Sequence, residues 1–473
     1  MAHFDVAIIG SGSGNSLPGP EWGSRKVAII DGGTFGGTCL NVGCIPTKMF
    51  VYPADLAAAA REAGPLGVDL ELRNVRWREI RDRIFERIDA ISAGGMEYRQ
   101  HGNPNVTLFP ENVEFTGPRS LRTAGGEDIT AENIVVAAGS RPVMPGFAGQ
   151  DLPQVHTSDT VMRIGELPRH VLIVGGGYVA AEFGHVFSSL GSRVSILTRS
   201  RGLLKRLDAE IARRFEDAVA DRWDIHHGYE LDSVQPVAER PGTVSAALVP
   251  TAGSSRTPLS LEVDLVLVAT GRRPNTDRLN IAAAGFDLEP DGRLSADKHQ
   301  RVLSGGNPVP GVWALGDISS RHQLKHVANH EARVVAHNLL HPESLQASQH
   351  RYVPSAVFTR PQLASVGLTE AQARHHCERN GIGIATAVQD YGSTAYGWAM
   401  EDTTGVVKLI AEQESGLLLG AHIMGHEASL LIQPLIQAMN FGLDVHSMAR
   451  GQYWIHPALT EVVENALLSL KIG

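Results

Sequence analysis

Cysteine is scarce in this chain, with only three among its 473 residues. Such scarcity excludes a disulfide-bonded secreted scaffold and fits a reducing compartment. No apolar run approaches the ~18 residues that a membrane span needs, and the first residues, MAHFD, lack the basic start of a signal peptide. We therefore expect a cytoplasmic protein that does not associate with membranes.

An excess of positive charge is also absent. The chain has 42 Lys and Arg residues against 51 Asp and Glu residues, which gives a formal net charge of −9. This balance argues against a nucleic-acid-binding surface. At roughly 100 to 200 residues per domain, 473 residues predict about three or four domains.

Two of the cysteines, Cys39 and Cys44, lie close together in the segment GGTCLNVGCIPTK at 36–48. On an ideal α-helix their Cα atoms would be roughly 8 to 9 Å apart, whereas a disulfide needs about 7 Å or less. They can bond only if the helix is distorted, and Gly43 and Pro46 would permit or force the distortion. The pair is either a labile redox dithiol or two buried free thiols.

Two stretches of the chain share a strand, turn and strand pattern. Apolar runs at 4–9 and 170–174 each lead into a glycine-rich turn, and the glycines of these turns include Gly10, Gly12, Gly175 and Gly177. Strands that lead into such turns are typical of dinucleotide-binding units. One such turn is weak evidence, because an ordinary glycine-rich loop gives the same pattern. Two at matching places predict an internal duplication with two nucleotide sites.

The second strand of each unit ends at a residue that can select a nucleotide. In the first unit this residue is Asp31, an acid placed to bond an unphosphorylated ribose, which favours FAD. In the second unit Thr198 stands in place of the acid. Arg199 and Lys205 follow it, so a 2′-phosphate would meet positive charge. We predict NADPH there, with NADH as the less favoured alternative.

The first turn departs from the usual pattern at its third glycine position, which holds Asn15. Pro18 and Pro20 follow where a helix would run, and proline is tolerated only in the first turn of a helix. We therefore expect the helix after this turn to be short, late or kinked.

Three further apolar segments, at 134–139, 265–271 and 311–317, indicate buried strands that end in small residues. Gly139 and Gly271 end the first two. The third ends at Asp317, which either closes a turn or accepts a hydrogen bond from a ribitol hydroxyl.

These motifs, together with SAVFTRP at 355–361 and HPALTE at 456–461, occur in the order found in the flavoprotein disulfide reductases of the glutathione reductase and dihydrolipoyl dehydrogenase type. The whole chain resembles this family. The resemblance implies an α/β fold with two Rossmann-like domains, for FAD and NAD(P)H, and a C-terminal α+β dimerisation domain. The implied domains are an FAD domain at 1–149, an NAD(P)H domain at 150–273, a central domain completing the FAD site at 274–346 and a dimerisation domain at 347–473.

The resemblance also implies roles for four catalytic residues. Cys44 would be the thiol nearest the flavin, and Cys39 would attack the substrate disulfide. His456 would act as acid and base, with its ring oriented by Glu461. Because the family places this histidine in the site of the other subunit, a homodimer would be a condition of activity.

Further residues would hold the cofactors, again by resemblance. Lys48 would pair with Glu182 beside the flavin, although both would be solvated surface residues by default. Tyr178 would cover the empty nicotinamide pocket. The other predicted FAD contacts are Gly10, Gly12, Asp31, Thr38, Gly139, Asp317 and His326, and those on the NADPH side are Gly175, Gly177, Arg199, Lys205 and Gly271.

Several segments that not all family members share resemble the branch of the family that reduces mycothione, the disulfide of a small cysteine-containing sugar thiol. They lie at 10–16, 44–52, 324–331, 395–402 and 449–457. Dihydrolipoyl dehydrogenase and glutathione-disulfide reductase remain as alternatives, and a flavin-binding subunit of a multienzyme complex is the alternative that is not an enzyme. The final residues, 467–473, contain no cysteine, which excludes relatives with electron-shuttling tails.

Two other features have ordinary interpretations. His322, His326 and His330 recur every four residues, but no cysteine or carboxylate completes a convincing ligand set, so we predict no metal. Cys377 lies beside two histidines in a polar segment, and we expect it to be a surface thiol.

Overall fold

The computed structural model describes residues 2–473, and short runs of valine, isoleucine and alanine form its central strands. Val6, Ile8 and Ile29 are fully buried. Strands that are covered on both faces have such continuous apolar sequences, which is typical of parallel sheets packed between helices. The predicted α/β class is therefore confirmed.

The N-terminal part of the chain forms one group of strands and helices. Its strands are β1 (Ala2–Ile9), β2 (Val27–Ile30), β3 (Val106–Phe109), β4 (Val113–Gly117), β5 (Ser120–Thr123) and β6 (Asp128–Val136). Its helices are α1 (Gly37–Asn41), α2 (Cys44–Glu62) and α3 (Trp77–Glu97).

The next part contains the second glycine turn and the strands around it. Its strands are β7 (Ser140–Pro142), β8 (Val155–Thr157), β9 (His170–Val174), β10 (Arg193–Thr198), β11 (Trp223–His227), β12 (Tyr229–Pro236), β13 (Val244–Pro250), β14 (Leu259–Val263), β15 (Leu265–Val268) and β16 (Arg272–Pro274). Its helices are α4 (Tyr178–Leu190) and α5 (Ala209–Val219).

The remaining elements follow in two groups. The first group is α6 (Ile281–Ala284), β17 (Arg301–Ser304), β18 (Asn307–Ala314) and α7 (Lys325–Leu340). The second group is β19 (Ser355–Val357), β20 (Gln362–Gly367), α8 (Glu370–Asn380), β21 (Ile384–Asp390), α9 (Ala395–Ala399), β22 (Val406–Glu412), β23 (Leu418–Gly425), α10 (Ala428–Leu431), α11 (Gln433–Phe441), α12 (Val445–Arg450) and α13 (Thr460–Ser469).

Strand β1 lies inside the largest sheet, where it pairs in parallel with β2 on one side and β6 on the other. The sheet runs in the order β17, β18, β6, β1, β2 and β3, and β4 and β5 attach to it through β6. Strand β18 pairs in parallel with β6. The chain therefore returns, after the second unit, to complete the sheet of the first.

The other two main sheets differ in direction. The second glycine turn lies on a parallel sheet with the order β11, β10, β9, β15 and β8. The C-terminal sheet, β19, β20, β23, β22 and β21, is antiparallel. This arrangement confirms two Rossmann-like units and a C-terminal α+β unit, while the boundaries at 149, 273 and 346 stay predictions.

The two glycine turns have matching geometry. Gly10 has φ 108° and Gly175 has φ 130°, which are values that L residues rarely adopt. A Cβ at Gly10 would collide with the carbonyl oxygen of Ala137, and one at Gly175 with that of Ala269. The predicted internal duplication is confirmed down to these equivalent close approaches.

The expected disruption after the first turn is also confirmed. Between this turn and Gly37, the structure has 3₁₀ turns at Gly14–Ser16 and Pro20–Trp22 and no α-helix. The third glycine of the pattern normally lets the following helix pack closely on β1. Here Gly14 makes the close approach to β1, since a Cβ there would lie 2.7 Å from Cγ2 of Ile8.

Arg99, which the sequence analysis missed, holds this irregular segment. Its guanidinium is buried and donates to Oδ1 of Asn15 at 2.8 Å and to the Asn15 carbonyl at 2.7 Å. Burial lowers the pKa of Arg99. The buried guanidinium thus satisfies the side-chain and carbonyl oxygens of Asn15. In a regular helix that carbonyl would instead accept a hydrogen bond from the helix backbone.

The prediction that Cys377 is a surface thiol is wrong, because its side chain is only 2% exposed. Cys377 packs with Ala373, Ile410 and Leu419. Ala373 and Cys377 are four residues apart on α8, so they form one apolar face that covers the C-terminal sheet. Among residues 2–473, no helix has both the length and the apolar character to cross a bilayer.

Candidate active site

A cavity of about 970 Å³ lies where the first glycine turn, the dithiol segment and the start of α4 meet. Cavities of this size hold large cofactors. The predicted site residues that line it are Gly10, Gly12, Asp31, Thr38, Cys39, Cys44, Lys48, Gly139, Tyr178, Glu182 and Asp317. The fold thus brings the predicted FAD residues together with the dithiol and with the start of the second unit.

The two cysteines of the dithiol lie on different helices, Cys39 on α1 and Cys44 at the first position of α2. The predicted distortion is therefore confirmed as a break at Val42 and Gly43. A Cβ at Gly43 would lie 2.8 Å from the Thr38 carbonyl oxygen and 3.2 Å from the Cys39 Cα. Pro46 lies in the first turn of α2, where proline is tolerated, so Gly43 is the residue that permits the break.

The two thiols, both free in the structure, have pKa values that move in opposite directions. A hydrogen bond from the Cys39 thiol lowers the pKa of Cys44 to about 7, against the effect of burial, and the Lys48 ammonium adds to the lowering. The same hydrogen bond and burial raise the pKa of Cys39. Cys44 is therefore the thiol that ionises first, while Cys39 keeps its proton.

Lys48 and Glu182 form the predicted ion pair. The Lys48 Nζ lies 2.7 Å from each carboxylate oxygen of Glu182. The Glu182 carboxylate is buried and also accepts a hydrogen bond from the Phe358 N–H at 3.0 Å, and the Lys48 ammonium lies 4.7 Å from the centre of the Phe358 ring. A cation is thus fixed between the dithiol and α4.

Asp31 is held at the end of β2 beside the first glycine turn. Its Oδ2 accepts from the Ser11 N–H at 2.7 Å and from the Ser11 hydroxyl at 2.6 Å, and its Oδ1 accepts from the Gly33 N–H at 2.8 Å. These bonds orient the carboxylate in the cavity wall, as the predicted contact with a ribose requires.

Asp317 lies in the wall formed by the segment after β18. Burial raises the pKa of Asp317, although Ser140 and Arg272 oppose the rise. The Ser140 hydroxyl donates to the carboxylate at 2.6 Å, and the Arg272 Nε donates to that hydroxyl at 2.9 Å. These hydrogen bonds therefore join β7, β16 and the segment after β18.

The cavity also contains a buried oxygen without a partner, which tests its fit to a cofactor. The Asn41 amide nitrogen donates to the carbonyls of Thr34, Phe35 and Gly37 at 3.3, 2.9 and 3.1 Å. Its Oδ1 is buried and has no hydrogen-bond partner among residues 2–473. Because Asn41 lines the cavity, a donor on a bound group would satisfy this oxygen. The site therefore fits FAD, and Asn41 is a residue that the sequence analysis missed.

The residues predicted for NADPH lie around the second glycine turn, outside this cavity. Gly175 and Gly177 precede α4, and Gly271 follows β15. Arg199 and Lys205 are exposed in the loop after β10. Of the residues predicted for the NADPH or flavin side, Tyr178 and Glu182, on the first turns of α4, line the cavity.

The loop after β10 folds back over the second turn. The Leu204 N–H donates to the Gly176 carbonyl at 2.7 Å, and the Lys205 ammonium bonds the Ser200 hydroxyl. Thr198 also bonds His227, whose other ring nitrogen lies 2.7 Å from Glu216. His227 and Glu216 were not predicted, and no local sequence signal marks them.

His326 does not line the cavity. It is exposed, and its Nε2 lies 2.9 Å from the Pro354 carbonyl oxygen. Its neighbour Lys325 faces the cavity instead and donates to the Ser13 hydroxyl at 2.8 Å. The predicted contact of His326 with FAD thus finds no support in this geometry, because α7 turns Lys325 and Ala328 toward the cavity.

His456 and Glu461 are hydrogen bonded but do not line the cavity either. The His456 Nδ1 lies 2.7 Å from Oε1 of Glu461, which also accepts from the Ala458 N–H through Oε2 at 3.3 Å. The bond orients the His456 ring through Nδ1. Within residues 2–473, no group of three or more His, Cys, Asp or Glu residues is arranged to hold a metal ion.

Comparison with known proteins gives consistent matches over the whole chain. Residues 4–332 match the family model described as pyridine nucleotide-disulphide oxidoreductase, and residues 353–467 match the dimerisation domain of the same class. The mycothione reductase of Mycobacterium tuberculosis is 51% identical over 100% of both chains. The glutathione reductase of Burkholderia cepacia is 32% identical over 97% of both chains.

A solved structure shows the same architecture. The HOCl-induced flavoprotein disulfide reductase RclA from Escherichia coli matches with a TM-score of 0.82 and 27% identity, over 98% of this chain and 99% of that chain. The matches confirm the predicted class, an NAD(P)H-dependent disulfide oxidoreductase, and support FAD and NADPH as its cofactors. The dimerisation domain indicates a homodimer. The chain therefore belongs to the pyridine nucleotide-disulphide oxidoreductase family.

Proposed function

We propose that this chain reduces mycothione to two molecules of mycothiol with electrons from NADPH. The observation that carries the proposal is the cavity in which Cys39 and Cys44 lie beside the Lys48–Glu182 ion pair. The substrate is inferred from the relative named mycothione reductase, which is 51% identical over the full length. The scarcity of cysteine supports a cytoplasmic location as part of the same proposal.

The thiol chemistry begins at Cys39. Because the pKa of Cys39 is raised, its attack on a disulfide needs a base, and His456 of the partner subunit is the proposed base. The Cys39 sulfur bonds one sulfur of mycothione, the substrate disulfide breaks, and the expelled thiolate takes up the proton from the histidine.

Cys44 completes the exchange. Its pKa of about 7 makes the thiolate available at neutral pH. This thiolate attacks the Cys39 sulfur, the mixed disulfide breaks, and the second mycothiol leaves as a thiolate, which takes up a proton from water, as the Cys39–Cys44 disulfide forms. Bound FAD supplies the route by which two electrons from NADPH return this disulfide to the dithiol.

The remaining predicted residues have binding roles in this proposal. Gly10 and Gly12 let a dinucleotide approach the backbone, and Asp31 accepts from its ribose. Asn41 adds an unsatisfied acceptor. The other proposed contacts are Thr38, Lys48, Gly139 and Asp317 for FAD, and Gly175, Gly177, Tyr178, Glu182, Arg199, Lys205 and Gly271 for NADPH or the flavin side.

The test is a steady-state comparison of the FAD-loaded protein with mycothione, glutathione disulfide and lipoamide, each with NADPH and with NADH. We expect kcat/KM to be highest for mycothione with NADPH, by about 100-fold or more. Preference for lipoamide with NADH would contradict the substrate and leave the family membership intact.

A matched variant tests the mechanism. Cys39→Ser leaves the cavity shape nearly unchanged and removes the attacking sulfur. We expect it to lose mycothione reduction while it still oxidises NADPH with a small-molecule electron acceptor that needs no dithiol. Unchanged mycothione reduction by this variant would contradict the proposed thiol chemistry.

A further inference from the structure

A buried histidine joins the two helices that carry the charged groups of the site. His185 lies on α4, three residues after Glu182, and its side chain is 0% exposed. Its Nε2 lies 2.8 Å from Oδ1 of Asp55 on α2, and its Nδ1 lies 3.1 Å from the Ser189 hydroxyl. The thiol chemistry proposed above uses none of these three groups.

The order of groups, a serine, a histidine and a carboxylate, matches that of a hydrolytic triad. A nucleophile must reach its substrate, but Ser189 is 2% exposed and His185 is fully buried. The three residues therefore do not form a second catalytic centre, and their function lies in the contact between the helices.

This contact is in register with the Lys48–Glu182 ion pair. Lys48 and Asp55 are seven residues apart on α2, which is about two helical turns, and Glu182 and His185 are about one turn apart on α4. Residues at these spacings share a helix face. The two pairs are consecutive polar contacts along one interface between α2 and α4.

Apolar packing fills much of the rest of this interface, where Phe50, Ala54 and Phe187 are buried in one core. Apolar burial has no preferred direction, so apolar contacts alone fix the register of two helices only loosely. A hydrogen bond needs defined donor and acceptor positions and therefore restricts the register more tightly. Arg61 adds a polar contact further along, since it donates to the carbonyls of Ser188 and Ser189 at 2.9 and 2.7 Å.

We propose that His185 is a positioning residue, whose hydrogen bond to Asp55 fixes the register of α2 against α4 and so holds the Glu182 carboxylate against the Lys48 ammonium beside Cys44. The inference rests on the proposed function, in which Cys44 is a reacting thiol. The contacts between α2 and α4 do not depend on which disulfide is the substrate.

The expected consequence is a change in the ionisation of Cys44. The groups that face Cys44 are Cys39 on α1, Lys48 on α2, and Glu182 and Tyr178 on α4. The Cys39 hydrogen bond lowers the pKa of Cys44, burial raises it, Lys48 lowers it and Glu182 raises it. Cys44 and Lys48 both lie on α2, so they stay together if α2 slides, whereas Glu182 on α4 moves away from both. Cys44 then loses the carboxylate that raises its pKa and that neutralises Lys48, so the pKa of Cys44 falls.

Two variants, His185→Gln and His185→Asn, make a matched test. The amide nitrogen of glutamine takes the place of the Nε2 of histidine and can still donate to Asp55, whereas that of asparagine takes the place of Nδ1 and can bond only Ser189. Both are made in the full-length, FAD-loaded Cys39→Ser protein, so that Cys44 is the reactive thiol of the cavity. The rate of Cys44 alkylation by iodoacetamide is measured against pH, with the site identified by mass spectrometry.

We expect His185→Gln to keep the alkylation profile of the Cys39→Ser parent and His185→Asn to shift its midpoint downward by roughly one pH unit. Equal shifts in both variants, or no shift in either, would overturn the proposal. Mycothione turnover of the unmodified protein is measured separately, so a failure of the proposed substrate is distinguishable from a failure of this inference.

A second pair covers the case in which the buried substitutions prevent folding. Asp55 is 31% exposed at its side chain and tolerates change more readily. Asp55→Asn keeps an oxygen that accepts from His185, and Asp55→Ala removes it. We expect a downward shift of the Cys44 profile in Asp55→Ala alone, and the same shift in both variants would overturn the proposal.

Discussion

His456 and Glu461 form a hydrogen bond, Nδ1 to Oε1 at 2.7 Å, on a surface that does not belong to the dithiol cavity. The His456 side chain is 73% exposed, and its neighbours Tyr453 and Ile455 are exposed apolar residues. An oriented ring among exposed apolar side chains suits a residue that acts across an interface. The geometry thus supports the proposal that the site is shared between two subunits.

Heterodimers test this sharing. Cys39→Ser and His456→Ala subunits with different tags are coexpressed, and the mixed dimer is isolated by purification on both tags. If each site combines Cys39 of one chain with His456 of the other, one of the two sites is intact, and we expect about half of the normal activity. Both homodimers serve as inactive controls. An inactive heterodimer would mean that both residues act within one chain.

Gly43 offers a test of the dithiol geometry. In Gly43→Ala the new Cβ would lie 2.8 Å from the Thr38 carbonyl oxygen, so α1 and α2 must move apart. We expect oxidation to leave Cys39 and Cys44 largely as free thiols, with at least a tenfold loss of disulfide reduction, because disulfide geometry is narrow. The measurement is a thiol titration after oxidation. Gly64→Ala is the control, since a Cβ there meets nothing within 4 Å, and it should behave as the unmodified protein.

Local sequence patterns predicted the parts of the site that depend on short-range rules. The glycine turns at Gly10 and Gly175, the acid at Asp31 and the break between Cys39 and Cys44 all follow from backbone geometry over a few residues. The disruption of the helix after the first turn, expected as a short, late or kinked helix, follows from two prolines and a missing glycine. Each of these expectations agrees with the structure.

The parts that could not be predicted depend on contacts between residues far apart in the chain. Arg99 bonds Asn15 across 84 positions, and His185 bonds Asp55 across 130. Cys377 is buried because α8 packs on the C-terminal sheet, which a polar segment with one short apolar face does not reveal. Tertiary packing decides such cases, and single-residue patterns do not encode it.

Arg199 and Lys205 test the choice of nucleotide. Both are exposed in the loop that folds over the second glycine turn. Since a charge-assisted hydrogen bond to a phosphate contributes about 1.5 to 3 kcal/mol, Arg199→Ala should raise the KM for NADPH by about tenfold or more and leave that for NADH nearly unchanged. Lys205→Ala should act in the same direction. The measurement is the ratio of kcat/KM for the two nucleotides.

A control for these variants must remove charge without touching the loop. Arg213 on α5 is exposed and pairs with Asp217, so Arg213→Ala should leave the nucleotide ratio unchanged. If Arg213→Ala and Arg199→Ala had equal effects, general electrostatic attraction would explain the preference and the predicted phosphate contact would be wrong.

Lys408 provides a test of how the C-terminal sheet is joined to the second nucleotide unit. Its side chain is 3% exposed, and its ammonium contacts the carboxylates of Asp208, Glu210 and Glu370 at 2.8, 3.2 and 2.7 Å. Glu210 and Glu370 also pair with Arg214 and Arg374, so removal of the cation leaves the buried Asp208 carboxylate without its ion-pair partner, which costs about 3 kcal/mol. We expect Lys408→Met to lower the Tm, at fixed protein and FAD concentrations, by roughly 5 to 10 °C. Arg193→Met, which breaks an exposed ion pair with Asp224, is the control and should change the Tm little.

The loss of stability in Lys408→Met should depend on pH. The hydrogen bond from Lys408 holds the pKa of Glu370 below its usual value. Burial alone would raise the pKa of Asp208, but hydrogen bonds from Lys408 and from the Glu370 N–H outweigh burial and lower it. Groups with lowered folded pKa values stabilise the fold above their unfolded pKa of about 4 and lose that contribution as the pH falls through the lowered values. The difference in Tm between the unmodified protein and Lys408→Met should therefore be largest near pH 7 and should narrow below about pH 4. A difference that stays constant over this range would show that lost packing of the lysine stem, rather than charge, explains the effect.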